Sequence, residues 1–193
     1  MSNNIPFWPG RPLRVNPDSD LFNSLVTDPA YAVEYKLDGY RCVVHFTESG
    51  VFGWTRHGRS QILVPSIRAA LAKLEIPVGT AIDAELMGPR VAGTPQCLVA
   101  FDLPFWDGAP DATSTYDARR ARLKDLRLPV VAQLPNTPKS FRQALVSGHE
   151  GLVLKRRDSA YPFAAGPVEV STTAWLKVKA PTVNGRLIER VGT

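Results

Sequence analysis

The 193-residue chain has little of what builds metal centres or disulfide frameworks: two cysteines and three histidines. Cys42 and Cys97 show no metal-ligand spacing. Each sits in an apolar, strand-like stretch, which reads as a buried free thiol. None of the histidines has a partner at ligand spacing. No stretch approaches the roughly 18 consecutive apolar residues that span a bilayer. Met1–Gly10 has neither the charged start nor the apolar run of a secretory signal. Internal repeats and low-complexity segments are absent too. These absences point away from a membrane and toward a soluble protein working in a reducing interior, either cytoplasmic or, for a viral protein, inside the host cell.

What is present is ordinary globular composition, 44% hydrophobic and 21% charged, with an uneven net charge of +5. Residues 154–193 hold seven Lys/Arg against three Asp/Glu. A second basic cluster is Arg119, Arg120, Arg122, Lys124 and Arg127. Basic faces suit a polyanion, either nucleic acid or nucleotide phosphates. A solvated basic surface is the plainer alternative.

The first thirty residues, rich in Pro, Asn and Asp, read as irregular surface structure. Strand-like runs follow at Tyr31–Lys36, Tyr40–Phe46 and Val51–Thr55. Val64, Ile67, Leu71 and Leu74 have the spacing of one amphipathic helix. Strands return at Thr80–Leu86 and Gln96–Leu103. A charged helix is expected over Thr115–Leu126 and a shorter one over Lys139–Val146. Gly151–Lys155 and Ala174–Lys179 read as strands, with a final strand after the Asn184-Gly185 turn. Meandering strands without regular βαβ alternation predict an α+β fold with antiparallel sheets flanked by helices.

Six short segments carry chemistry. In Glu34-Tyr35-Lys36-Leu37-Asp38-Gly39-Tyr40-Arg41, alternation puts Glu34 and Lys36 on one side of the strand. A lysine at a strand end, before a glycine turn, reaches into a cleft while its backbone stays fixed. A nucleophilic lysine must be neutral, and with a reference pKa of about 10.4 it needs desolvation or neighbouring cations, of which Arg41 is one. Alone, the tetrapeptide Lys36-Leu37-Asp38-Gly39 is a weak signal, often no more than a plain hairpin turn. It is followed in order by Thr55-Arg56-His57-Gly58-Arg59, Ala81-Ile82-Asp83-Ala84-Glu85-Leu86, Val99-Ala100-Phe101-Asp102-Leu103, His149-Glu150-Gly151-Leu152-Val153-Leu154-Lys155, and Trp175-Leu176-Lys177-Val178-Lys179.

The ordered set resembles the nucleotidyltransferase (adenylation) domain of ATP-dependent DNA ligases, whose relatives include RNA ligases and mRNA capping enzymes. The resemblance runs from about Ala30 to Lys179. It implies a nucleotidyltransferase fold of the DNA ligase and capping-enzyme type, ATP-grasp-like, with the nucleotide held between sheets. It further implies that Lys36 forms the lysyl-AMP intermediate, with Lys177 and Lys179 as catalytic cations on the α-phosphate. Glu34 would meet the adenine edge, Arg56 and Glu85 the ribose, and Phe101 would stack on the base. Arg41 would lie near phosphates or strand ends. Glu85 and Glu150 would attend Mg²⁺, and the helix bearing Arg119 and Arg120 would contact nucleic acid. ATP is the implied nucleotide and nicked duplex DNA the implied partner, with RNA as the alternative. Asp83 and Asp102 read as structural, and Trp54, Trp106 and Trp175 as packing residues.

The chemistry asks for such a set. Attack on an α-phosphate gathers negative charge between nucleophile and pyrophosphate, which Lys177, Lys179 and a divalent ion would spread. The domain layout expected is an irregular segment over 1–29, the adenylation domain over 30–180 and a short extension over 181–193. Fourteen residues after Lys179 cannot form an OB-fold barrel, so the expectation is a naturally minimal ligase, a fragment, or one half of a split enzyme whose partner is a separate OB-fold or DNA-binding protein. The rival reading from another class is a non-catalytic nucleotide- or nick-binding module.

Overall fold

A five-stranded and a six-stranded sheet, each with helices on one side, frame the molecule in the computed structural model, which describes residues 7–88, 96–111, 113–180, 182–183 and 186–187. The five-stranded sheet runs in the order Gln133–Leu134, Tyr31–Lys36, Gly151–Arg156, Ser171–Lys179, Arg11–Val15. The six-stranded sheet runs Ser60–Gln61, Gly50–Thr55, Tyr40–Thr47, Ala81–Met87, Cys97–Trp106, Ala109–Pro110. Neighbouring strands are antiparallel except Arg11–Val15, which lies parallel to Ser171–Lys179. The α+β class expected from the meandering strands is the class observed.

Alternation sorts each strand's side chains. Val33, Leu152, Leu154, Leu176 and Val178 of the five-stranded sheet pack with Phe22, Val26 and Ala144 of helices Asp20–Thr27 and Lys139–Val146. Their sequence neighbours Glu34, Lys36, Val153, Lys177 and Lys179 line a cavity instead. Cys42, Val44, Ile82, Ala84, Leu86 and Leu103 of the six-stranded sheet form a second core with Ile67, Leu71 and Leu123. Helix Pro65–Ala72 starts on a proline, whose missing N–H costs nothing at that position. A third cluster, Phe7, Val43, Trp54, Ala81, Tyr161 and Trp175, joins residues of the two sheets.

Two expectations need correction. The first twenty-nine residues are not irregular surface wrapping in their described part. Arg11–Val15 is an edge strand, and Asp20–Thr27 is a helix whose N-cap Ser19 accepts a hydrogen bond from the Phe22 N–H. Phe7, Val15, Phe22 and Val26 are buried, so this segment belongs to the fold. Cys97 is exposed, whereas Cys42 is buried as expected. Thr182–Val183 and Arg186–Leu187 pair antiparallel. Asn184 and Gly185, on which the final turn was expected, lie outside the described residues. No helix among the described residues is long and apolar enough to cross a membrane.

Candidate active site

Lys36 ends its strand in register with Gly151, and Gly151 is in turn in register with Lys179. A glycine therefore separates the two lysines. Its φ is +144°, and a Cβ there would lie 2.0 Å from the Val178 carbonyl oxygen, so no other residue fits unchanged. The preceding residue, Glu150, donates its N–H to the Lys36 carbonyl at 3.1 Å. One carboxylate oxygen of Glu150 lies 2.6 Å from Lys36 Nζ and 2.8 Å from Lys179 Nζ. Burial pushes the Glu150 carboxyl up. The hydrogen bonds from Lys179 and Lys36 outweigh that and bring it down to about 2.

The turn after Lys36 is docked by Gly39, whose N–H donates to Glu85 Oε1 at 3.0 Å. A Cβ on Gly39 would meet the Leu86 carbonyl at 2.5 Å, so the close approach depends on glycine. Burial raises the Glu85 carboxyl to about 7, against the opposing pull of Lys36 and the Gly39 N–H. Lys177 stands on the same sheet face. Burial lowers its pKa, and so do the charges of Lys36, Lys179, Arg11 and Arg14.

Nine of the eleven residues expected in the site line one cavity of about 560 Å³: Glu34, Lys36, Arg41, Arg56, Glu85, Phe101, Glu150, Lys177 and Lys179. Segments far apart in sequence meet there because the two sheets share its walls. The volume is in the range of small-molecule sites. Half-buried Phe101 stands edge-on to Trp175, with ring centroids 6.4 Å apart. Arg56, exposed at its rim, donates from Nε to His57 Nε2 at 3.1 Å.

Arg119 and Arg120 are not in the cavity wall, and they are not a nucleic-acid surface. Arg119 is 0% exposed and donates to Asp102 at 2.7 and 3.4 Å and to the Ser114 and Ser159 carbonyls. Arg120, 6% exposed, pairs with Glu34 and donates to the Val131 carbonyl. Two adjacent arginines in a charged helix look like solvated cations, but buried Glu34 and Asp102 require counter-charges. Arg41 also differs from expectation. It lines the cavity, yet its guanidinium is tied to Asp83 at 3.0 and 2.6 Å, to the Gly10 carbonyl at 2.7 Å and to the Tyr161 hydroxyl at 3.2 Å. Its guanidinium ties Asp83 of the neighbouring strand to the segments at Gly10 and Tyr161.

Sequence reasoning missed Lys155. This lysine is 1% exposed, lies on the cavity side of its strand and donates to the Phe101 carbonyl at 2.7 Å. It pairs with Glu34 at 3.0 Å and sits 4.4 Å from the Trp175 ring centroid. Alternation from Gly151 through Val153 was the signal available for it. Glu34 also accepts from the Tyr116 hydroxyl at 2.5 Å, so its carboxylate is held from three sides.

The fold is that of the nucleotidyltransferase domains of DNA ligases. No family model matches the sequence. Among curated proteins, the chain is 26% identical over 174 residues to the SPbeta prophage-derived DNA ligase-like protein LigB of Bacillus subtilis, covering 78% of this chain and 62% of that one. It is 32% identical over 166 residues to the multifunctional non-homologous end joining protein LigD of Pseudomonas aeruginosa, covering 72% and 20%. Among solved structures, mycobacterial DNA ligase D complexed with ATP and MES superposes with a TM-score of 0.70 and 26% identity, over 90% of this chain and 60% of that one. The chain thus spans less than two thirds of each of these relatives. More particularly, it is an adenylation domain of the ATP-dependent DNA ligase type.

Proposed function

We propose that this domain takes AMP from ATP onto Lys36 Nζ, passes it to the 5′-phosphate of a nick in duplex DNA, and promotes its displacement by the 3′-hydroxyl. The observation that carries the reading is the group Lys36, Glu150 and Lys179, assembled around Gly151 in the wall of a cavity also lined by Lys177, Glu85 and Phe101. A relative of known structure complexed with ATP supports the choice of nucleotide.

In the loading step, a neutral Lys36 amine attacks the α-phosphorus. The N–P bond forms, the bond to the bridging oxygen breaks, and pyrophosphate leaves with the electron pair. The amine gives up its proton to solvent. Glu150 holds Lys36 aimed into the cavity and holds Lys179 beside it, so both groups are positioned before ATP arrives. Lys179 and Lys177 meet the charge that builds on the phosphate oxygens. Phe101 gives the base an apolar wall, and Arg56 a donor at the rim.

Mg²⁺ needs oxygen ligands and keeps several waters, so one or two carboxylates suffice. Glu150 and Glu85 fit, since both wall the cavity around Lys36, although no group of three or more metal-ligating side chains is found among the described residues. When bound, the ion would neutralise phosphate charge. The reading is tested by incubating the protein with α-labelled ATP or GTP and Mg²⁺. Adduct from ATP, lost in Lys36→Ala, supports it. A protein that binds ATP without forming adduct is a binding module, and the reading then fails.

A further inference from the structure

The edge strand Arg11–Val15 adds cations to the cavity face that the chemistry at Lys36 does not use. Arg14 is in register with Lys177, Lys177 with Val153, and Val153 with Glu34. Residues in register share a sheet face, so Arg14 stands on the cavity side, one strand outside Lys177. The other face of the same strand carries Val15, buried with Val178 in the core. Arg14 is exposed, and Arg11 lines the cavity, held by the exposed carboxylate of Glu169 at 2.7 and 2.6 Å.

The charge balance along this face is uneven. Lys36 and Lys179 share Glu150. Among the described residues, Lys177 and Arg14 have no ion-pair partner, and the charges that bear most strongly on Lys177 are the positive ones of Lys36, Lys179, Arg11 and Arg14. The unmatched cations therefore lie to one side of the nucleophile, toward the sheet edge. We infer that Lys177, Arg14 and Arg11 form a subsite for the two terminal phosphates of a nucleoside triphosphate.

The inference rests on the reading that the α-phosphate is set against Lys36. In-line displacement puts the leaving oxygen opposite the attacking Nζ. Adjacent strands lie about 4.8 Å apart, so a phosphate chain directed from Lys36 past Lys179 and Lys177 comes out over Arg14. Pyrophosphate leaving with the bonding electron pair gains negative charge there, and the subsite neutralises it as the bond breaks. Arginine suits the task, since its fork of donors matches phosphate oxygens and stays charged at every working pH.

The test is calorimetric binding, with Mg²⁺ at low salt, of AMP, inorganic pyrophosphate, α,β-methylene-ATP and nicked duplex DNA to the intact protein, to Arg14→Glu and to Arg11→Gln/Arg14→Gln. The methylene bridge blocks transfer, so binding is read without Lys36 chemistry. The expected result is a loss of about tenfold in affinity for α,β-methylene-ATP and pyrophosphate, with AMP affinity unchanged within about twofold. Arg14 is exposed, and Arg14→Glu alone keeps the test valid if the double variant folds poorly. Equal loss for AMP and the triphosphate, or no loss for either, overturns the subsite. Weakening confined to nicked duplex DNA overturns it too, and marks the strand as a nucleic-acid contact. Failure to label Lys36 would remove the covalent reading while leaving a measured triphosphate preference intact, so the two ideas can fail separately.

Discussion

The carboxylate of Glu150 lies 2.6 Å from the Lys36 Nζ and reaches it from the residue just before the strand that pairs with the lysine's own. Because the same oxygen also holds Lys179, one side chain fixes two of the cations that face the cavity. Glu150→Ala should therefore slow Lys36 loading by about a hundredfold or more, the usual cost of removing a charge-stabilising group. Single-turnover rates at saturating ATP measure this. A variant loading at the wild-type rate would show that the pair is structural only.

Gly151 separates the two lysines, and its φ and the nearby Val178 carbonyl exclude a side chain. Gly151→Ala should cost on the order of 2 kcal/mol from backbone strain alone, and more from prising the strands apart. Urea unfolding should show lower stability, and loading should fall with it. Unchanged stability would mean that the strands yield easily at this point.

Arg120 should behave as a core residue. Removing one partner of a buried ion pair typically costs about 3–5 kcal/mol, so Arg120→Met should unfold at clearly lower urea. In any fraction that stays folded, DNA affinity should keep its salt dependence. A flattened salt slope with unchanged stability would restore the surface role expected from sequence.

Glu85 gives a pH prediction. Its carboxyl is raised from 4.5 to about 7, chiefly by burial. Below about 4.5 the group is protonated in both folded and unfolded chains. As pH rises through 7, the unfolded chain ionises first and stability is lost. Glu85→Gln keeps an acceptor for the Gly39 N–H and removes that loss. The variant should be more stable than wild type at pH 8, gain little at pH 4, and load nucleotide poorly. Equal gains at both pH values would contradict the assignment.

Most of the fold was legible because alternation is a strong signal. Tyr31–Lys36 and Lys139–Val146 fall where the pattern placed them, and other boundaries moved by a few residues. The motifs located the cavity wall, since each is short and brings at least one side chain to the same cleft. What escaped depended on distant partners. Nothing local shows that Arg119 and Arg120 serve Asp102 and Glu34, or that Arg41 serves Asp83. The Pro- and Asn-rich opening hid a helix that Ser19, with Phe22 and Val26 four residues apart, does announce. Lys155 was passed over because a buried lysine is rare without partners, and its partners come from other strands.

The most direct measurement is mass mapping of the protein after incubation with ATP and Mg²⁺. An AMP adduct on Lys36, acid-labile, much weaker with GTP and absent in Lys36→Ala and Lys36→Arg, is the predicted result. The arginine variant should fail because a guanidinium stays protonated. Adduct of undiminished yield in Lys36→Ala, or on another residue, would contradict the assignment of Lys36 as nucleophile.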